Sequence, residues 1–328
     1  MAKHLFLLVI VLTANATTCF SAEPVAELIS VKKIWDVAPH NAFTDLLFHD
    51  GAWFCVFREA STHVSNDGAL RVLTSKDGDT WESAARITMD HADLRDAKIN
   101  VAPDGRLCLC GAAAWHDKSK ATHQSFLWYS KDGHTWGDAI SIGDPDYWIW
   151  RITWHDGAAY GVGYRTGPQR GTRLYKSLNG IQFTTLVSDL TEGGYPNETS
   201  LHFSPDGKLY SLIRRDGNSD NSALLGVAQA PYTSWAWADL KTRIGGPQFL
   251  EMPDGKMLVG GRSYRGAAKT ALWSINLEQA QVTELLILPS GGDCSYPGLV
   301  YHDGMIWMSY YSSHEGKTDI YLAKIRYQ

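Results

Sequence analysis

Cysteine is scarce in this chain. Only Cys19, Cys55, Cys108, Cys110 and Cys294 occur, with no Cys-x-x-Cys spacing. That excludes a disulfide framework and a thiolate zinc site, and leaves buried free thiols as the expectation. Cys108 and Cys110 lie two apart on one strand, so they share a face and do not bridge each other. Positive charge is not in excess: 30 Lys and Arg stand against 35 Asp and Glu, a formal net charge of −5. No broad basic surface follows, and nucleic acid is excluded as a partner. Helical periodicity is nearly absent from residue 27 onward, where short alternating runs are separated by Gly, Asp and Asn. There is no linker, no low-complexity segment and no charge run.

Long apolar runs are missing too, apart from Leu5 to Leu12, which is too short to span a bilayer. Lys3 and His4 precede that run and small residues follow it, with cleavage expected after Ala16 or Ala22. Residues 1–22 therefore read as a signal peptide and residues 23–328 as one domain, secreted or periplasmic, with no stable membrane insertion. The expected state is a monomer.

What the chain has is a repeat. Asp-Gly dipeptides fall at Asp50, Asp104, Asp156, Asp206, Asp254 and Asp303, at steps of 54, 52, 50, 48 and 49 residues. Each sits between alternating apolar runs, as in TSLHFSPDGKLYSL, so each reads as a β-hairpin. Six copies of about 50 residues leave room for four strands each, the period of β-propeller blades. The fold expected is all-β: a six-bladed β-propeller of four-stranded antiparallel blades. The sixth repeat has three strands of its own, so the N-terminal strand Glu27 to Ile34 is expected to complete and close it. Ser75-Lys76-Asp77-Gly78-Asp79-Thr80-Trp81 recurs as Ser130 to Trp136, with a worn copy from Ser177 to Phe183. These look like Asp boxes, structural turns between third and fourth strands.

The repeat also serves as a ruler. Eight residues past each marked Asp stand Arg58, Ala112, Tyr164, Arg214, Arg262 and Tyr311. The matching strand starts are Asp45, Asp96, Arg151, Glu198, Gln248 and Tyr296. One end of the axis thus collects arginines, carboxylates and a tyrosine. Charges are seldom buried without partners, and arginine clusters bind carboxylate, sulfate or phosphate bidentately. A binding or catalytic site for an anionic ligand is the reading, and a glycan is the expected partner. Trp148 and Trp150 serve either as a stacking wall or as core. No metal or organic cofactor is indicated.

In these features the chain resembles the sialidase superfamily over essentially the whole of residues 23–328. The resemblance implies an arginine cluster for a substrate carboxylate, a tyrosine nucleophile activated by glutamate, and an aspartate acid/base. It assigns Glu198 and Arg214 to the fourth repeat, Arg262 (with Arg265 as rival) to the fifth, and Tyr296 to the sixth as nucleophile. The family's first arginine belongs to an Arg-Ile-Pro motif, where this chain reads Phe43-Thr44-Asp45-Leu46. Arg58 is the substitute expected there. For the acid the candidates are Asp96, Asp45 and Asp67, and His63 joins the substrate-binding set with Arg151, Gln248 and Tyr311. The function implied is an exo-acting glycoside hydrolase on a terminal anionic sugar. A polysaccharide lyase or a non-catalytic sugar-binding propeller are the alternatives on the same scaffold.

Overall fold

The six Asp-Gly hairpins solve one geometric problem in two ways. At Asp50-Gly51, Asp156-Gly157 and Asp303-Gly304 both residues have positive φ, between 48° and 74°. That is the two-residue primed turn whose twist matches paired strands. At Gly105, Gly207 and Gly255 only the glycine is left-handed, at 78–83°. There a proline stands before the aspartate, its own φ locked negative as the first corner of a wider turn, closed by Ala102 N–H to Arg106 O at 2.8 Å and its counterparts.

The computed structural model describes Met1 and residues 25–191 and 193–328. Its strands, numbered β1 to β24 in chain order, form six four-stranded antiparallel sheets. The first strand of each repeat is innermost: β2 (His40–His49), β6 (Ala92–Val101), β10 (Tyr147–His155), β14 (Pro196–Phe203), β18 (Ile244–Glu251) and β22 (Cys294–His302). In the sixth blade the order is β1-β24-β23-β22, so β1 (Ala26–Trp35) pairs with the last strand, β24 (Asp319–Tyr327), and closes the ring. Closure hides what would otherwise be an open edge. The signal-peptide reading of residues 1–22 falls outside the described residues. Among the described residues, no helix is long and apolar enough to cross a membrane.

The core lies between blades. Leu70 and Val72 of blade one pack on Leu94, Ile99 and Leu109 of blade two, and Trp53 meets Trp307 of blade six with centroids 4.4 Å apart. Trp148 and Trp150 belong to this packing, at 6% and 1% exposure. Asp77 and Asp132 each hold two turn amides, and Trp81 and Trp136 donate to the carbonyls of Gly78 and Gly133. Cys55, Cys108, Cys110 and Cys294 are free and buried.

One irregularity repeats six times. Every inner strand slips register once near its start: between Ala42 and Asp45, Arg95 and Lys98, Ile149 and Ile152, Pro196 and Thr199, Gly245 and Gln248, Ser295 and Gly298. A bulge bends its strand and re-aims side chains. Here six bulges ring one end of the axis.

Blade six meets blade one closely at Gly298, where an added Cβ would stand 2.1 Å from the Leu46 nitrogen and 2.6 Å from the Asp45 carbonyl carbon. Backbone cannot yield as a side chain would. Gly298→Ala should therefore destabilise the fold by roughly 1–3 kcal/mol, the cost of overpacking, as read by urea denaturation. An unchanged midpoint would mean that the seam is looser than drawn here.

Candidate active site at the bulged end of the axis

The bulges place three side chains through left-handed backbone: Phe43 (φ 65°), Asp96 (51°) and Tyr296 (50°, preceded by Ser295 at 92°). Such conformations cost about 1–3 kcal/mol each outside glycine and persist only where the surroundings hold them. Gly246, at φ 56°, occupies the equivalent place in blade five, lying against the Tyr296 ring.

Tyr296 and Glu198 are buried, at 6% and 7% exposure. The Tyr296 hydroxyl donates to Glu198 Oε1 in a short bond. Arg214 Nη1 reaches both Glu198 oxygens, at 2.9 and 2.8 Å, and the tyrosine oxygen at 2.6 Å. The Gly246 amide donates to Glu198 Oε2 at 2.9 Å. Asp216 holds the far side of Arg214, Nη2 to Oδ2 at 2.9 Å. Burial pushes the Tyr296 phenol well above its ordinary value, while the Arg214 cation opposes it. An adjacent proton acceptor is thus needed to activate the phenol, and Glu198 is in place.

Arg262 lies over the Tyr296 ring, 5.1 Å from its centroid. It donates to the Cys294 carbonyl at 2.6 and 2.8 Å and to the Tyr311 hydroxyl at 2.8 Å. Tyr311 in turn donates to Asp293 Oδ1 at 2.8 Å. The other Asp293 oxygen meets His40 Nε2 at 3.1 Å and His63 Nδ1 at 2.6 Å. Burial works to raise the Asp293 carboxyl, and the two histidine contacts outweigh it, so it stays well below the carboxylate range. Phe43 is wedged among Tyr296, Tyr311 and His63, with all three centroids 5.2 Å away.

Asp96 differs from the other acids. It is buried at 6% exposure, and among the described residues its side chain makes no hydrogen bond. Burial raises its carboxyl pKa, with Lys98 and Arg95 opposing and Glu198 adding to the rise. A carboxyl that burial holds above the ordinary carboxylate range is suited to the part of a proton donor. Burial raises the Tyr164 phenol as well, with Asp96, Glu198 and Tyr296 adding to the rise.

Other expected site residues are placed differently. Arg58 is fully buried and turned away from Tyr296; its Nε and Nη2 hold Asp93 Oδ1 at 2.9 and 2.8 Å, and its other donors hold Thr62 and Ser65. All three of its nitrogens donate inside the fold and none of its surface is exposed, so it offers nothing to a ligand. The cation at the Phe43 position is Arg95, 5.8 Å from the Phe43 ring centroid and bonded to the His63 carbonyl at 2.8 Å. Asp67 is an exposed turn residue that accepts from the Ser61 amide and hydroxyl; bonds from Ser65 and Ser61 lower its pKa, which unfits it as an acid. Asp45 is fully buried; its Oδ2 accepts from the Ile99 amide and from Arg151 Nη1, at 2.9 and 2.8 Å. Arg151 continues to Gln248 Oε1 at 3.0 Å, so these three span the axis as a strut. Arg265 is exposed and turned to Glu284.

Asp293, Arg95 and His40 were invisible to the ruler because they lie before or beside the counted positions. The Gly291-Gly292 turn ahead of Asp293 is the one local signal for it, with Gly292 at φ 64°. A hollow of ≈ 640 Å³ at the opposite end of the axis, lined by Leu47, Phe48, Met252 and Tyr301 among others, has Glu251 as its one charged lining residue and no comparable constellation.

Arg58→Ala should cost about 3–5 kcal/mol, because it strands Asp93 in the interior, whereas Arg95→Ala should cost well under that. Chemical denaturation of the two variants checks this. A larger loss for Arg95→Ala would reverse the assignments.

No protein-family model matches the chain, and no curated protein does. Solved structures do match in fold. A protein of unknown function from Dyadobacter fermentans has a TM-score of 0.83 at 18% identity, over 92% of this chain and 99% of that one. An α-L-arabinanase from Penicillium chrysogenum, complexed with arabinobiose, has a TM-score of 0.71 at 14% identity, over 90% and 98%. A Trypanosoma rangeli sialidase in complex with the inhibitor DANA has a TM-score of 0.69 at 15% identity, over 88% of this chain but 55% of that one. The chain therefore shares its six-bladed scaffold with glycoside hydrolases of more than one specificity.

Proposed function

We propose that the protein is an exported, exo-acting glycoside hydrolase that takes a terminal sugar bearing a carboxylate. The observation that carries this reading is the Tyr296–Glu198–Arg214 constellation: a buried phenol hydrogen-bonded to a carboxylate that is itself fixed by a guanidinium. Glu198 would take the phenolic proton as the tyrosine oxygen attacks the anomeric carbon. The glycosidic C–O bond breaks, its electron pair goes to the leaving oxygen, and Asp96 protonates that oxygen. Asp96, now a base, would deprotonate water for attack on the glycosyl–tyrosine, and Glu198 would return the proton to the phenol. A neutral phenol suits a carboxylated anomeric centre, since it avoids the repulsion that a carboxylate nucleophile meets. Arg262, Arg214 and Arg95 supply the cations at the mouth, each with 14–15% of its side chain exposed.

One observation favours a second reading, an exo-hydrolase for a neutral sugar. Glu198 and Asp216 already face Arg214, and Asp293 faces Arg262, at 3.4 Å. Little positive charge is left unbalanced, and one of the structural neighbours is an arabinanase.

A turnover screen of aryl glycosides of sialic acids, uronic acids and neutral sugars separates the two. Tyr296→Phe and Glu198→Gln should each cost several orders of magnitude in kcat on the true substrate, and Arg262→Ala should act mainly on KM if the sugar is acidic. Full activity in Tyr296→Phe removes the tyrosine from the mechanism. An unsaturated, ultraviolet-absorbing product would make the protein a lyase; glycan binding without turnover would make it a binding propeller.

Because burial raises the Asp96 carboxyl, its acid form persists to higher pH than an ordinary aspartate. Activity should fall as pH rises through that folded pKa, and Asp96→Asn should abolish this alkaline limb together with most of the turnover of substrates with poor leaving groups. An intact limb in Asp96→Asn would assign the acid elsewhere.

A further inference from the structure

A lysine with no exposed surface lies directly beneath this site. Lys98, on β6, is fully buried. Its Nζ donates to the Thr44 carbonyl at 2.8 Å and lies 4.8 Å from the Trp150 ring centroid. A buried ammonium costs several kcal/mol of desolvation, so its retention asks for a reason.

Two connections supply one. The first is mechanical. Thr44 Oγ1 donates to the Tyr296 carbonyl at 2.8 Å and accepts from Ser309 Oγ at 3.0 Å; Ser309 Oγ accepts the Gly298 amide at 3.1 Å. Tyr296 and Gly298 belong to the bulge of blade six, so Lys98 in blade two reaches that bulge through blade one. The second is electrostatic. The groups whose charge acts on Lys98 are Asp45 from β2, Asp96 from its own strand, Arg151 from β10 and Glu198 from β14, and Lys98 in turn acts on the buried thiols of Cys55 and Cys110. Asp45 is already matched by Arg151 and the Ile99 amide. Glu198 has Arg214. Among the described residues Asp96 has no bonded partner, and Lys98, two residues along the same strand, comes ahead of Arg95 and Arg58 among the cations that oppose its protonation.

We propose that Lys98 is a positioning residue of this site, fixing the Tyr296 bulge through Thr44 and supplying the charge against which Asp96 ionises. The proposal rests on the acid/base reading above for its kinetic arm and on the structure alone for its titration arm. Burial and the Arg151 cation lower the Lys98 pKa to about 8, against the pull of Asp45, Asp96 and Glu198. The ammonium is therefore present at neutral pH and lost as pH rises through that value.

The test is a ¹³C-carboxyl NMR titration of Asp-labelled protein, with pH–rate profiles on whichever glycoside is turned over. In the native chain the Asp96 signal should show a second inflection near pH 8, as Lys98 loses its proton. Lys98→Met should abolish that inflection, move the Asp96 titration and the alkaline limb of activity to higher pH, and lower kcat about tenfold or more. Thr44→Val keeps the charge and cuts the link to the Tyr296 carbonyl; it should lower kcat without moving the limb. A Lys98→Met protein with native Asp96 titration overturns the proposal. So does a native Asp96 signal with no inflection near pH 8. That last measurement needs neither a variant nor turnover, so it stands even where the hydrolase reading fails.

Discussion

Three blades meet on one carboxylate. Glu198 comes from blade four, and it accepts from Arg214 of its own hairpin, from the Gly246 amide of blade five and from the Tyr296 hydroxyl of blade six. Each of its oxygens has two donors. That full satisfaction is what makes a carboxylate tolerable in a buried place, because an ion with idle lone pairs would carry its whole desolvation cost. Arg214 is fixed in turn by Asp216, which also holds Arg243 at 2.7 Å. The chemistry of the site and the cohesion of the propeller's axis thus rest on the same bonds.

The sixfold bulge is the backbone counterpart of that carboxylate. A regular inner strand would alternate its side chains between the two blade interfaces and present little to the axis end. One extra residue in each strand breaks the alternation, and the bulged segments carry Phe43, Asp96, Arg151, Glu198 and Tyr296. Three of these positions carry left-handed backbone on residues other than glycine. Strain of that kind survives where packing and hydrogen bonds over-determine the conformation, and the Thr44–Ser309–Gly298 bonds do so for Tyr296.

Polar side chains of the inner strands also link the blades to one another. Asp45, Arg151 and Gln248 form one strut across blades one, three and five; Lys98 and Thr44 form another between blades two and one. The same scaffold serves a sialidase and an arabinanase among the structural neighbours, so the fold by itself does not name a substrate.

The sequence alone determined the architecture, because its signals are local. An Asp-Gly turn between alternating runs reports a hairpin within about 14 residues, and six of them at one period report a ring. Even the closing strand was legible, from the strand missing in the sixth repeat. Glu198 and Arg214 were legible as a pair for the same reason: one hairpin carries both. The partners of the other charges were not. Arg58 stands opposite Ala42 on a strand next to Asp45, yet its guanidinium turns to Asp93 in the next blade, while Asp45 takes Arg151 two blades away. Asp293 finds Tyr311 in its own blade but His40 and His63 across the closing seam. Those choices depend on how far each bulge rotates a side chain about its strand and on which blade then stands within 3 Å. Only the closed ring fixes that geometry, since neighbours across a blade interface are separated by about fifty residues of chain or, at the seam, by nearly its whole length.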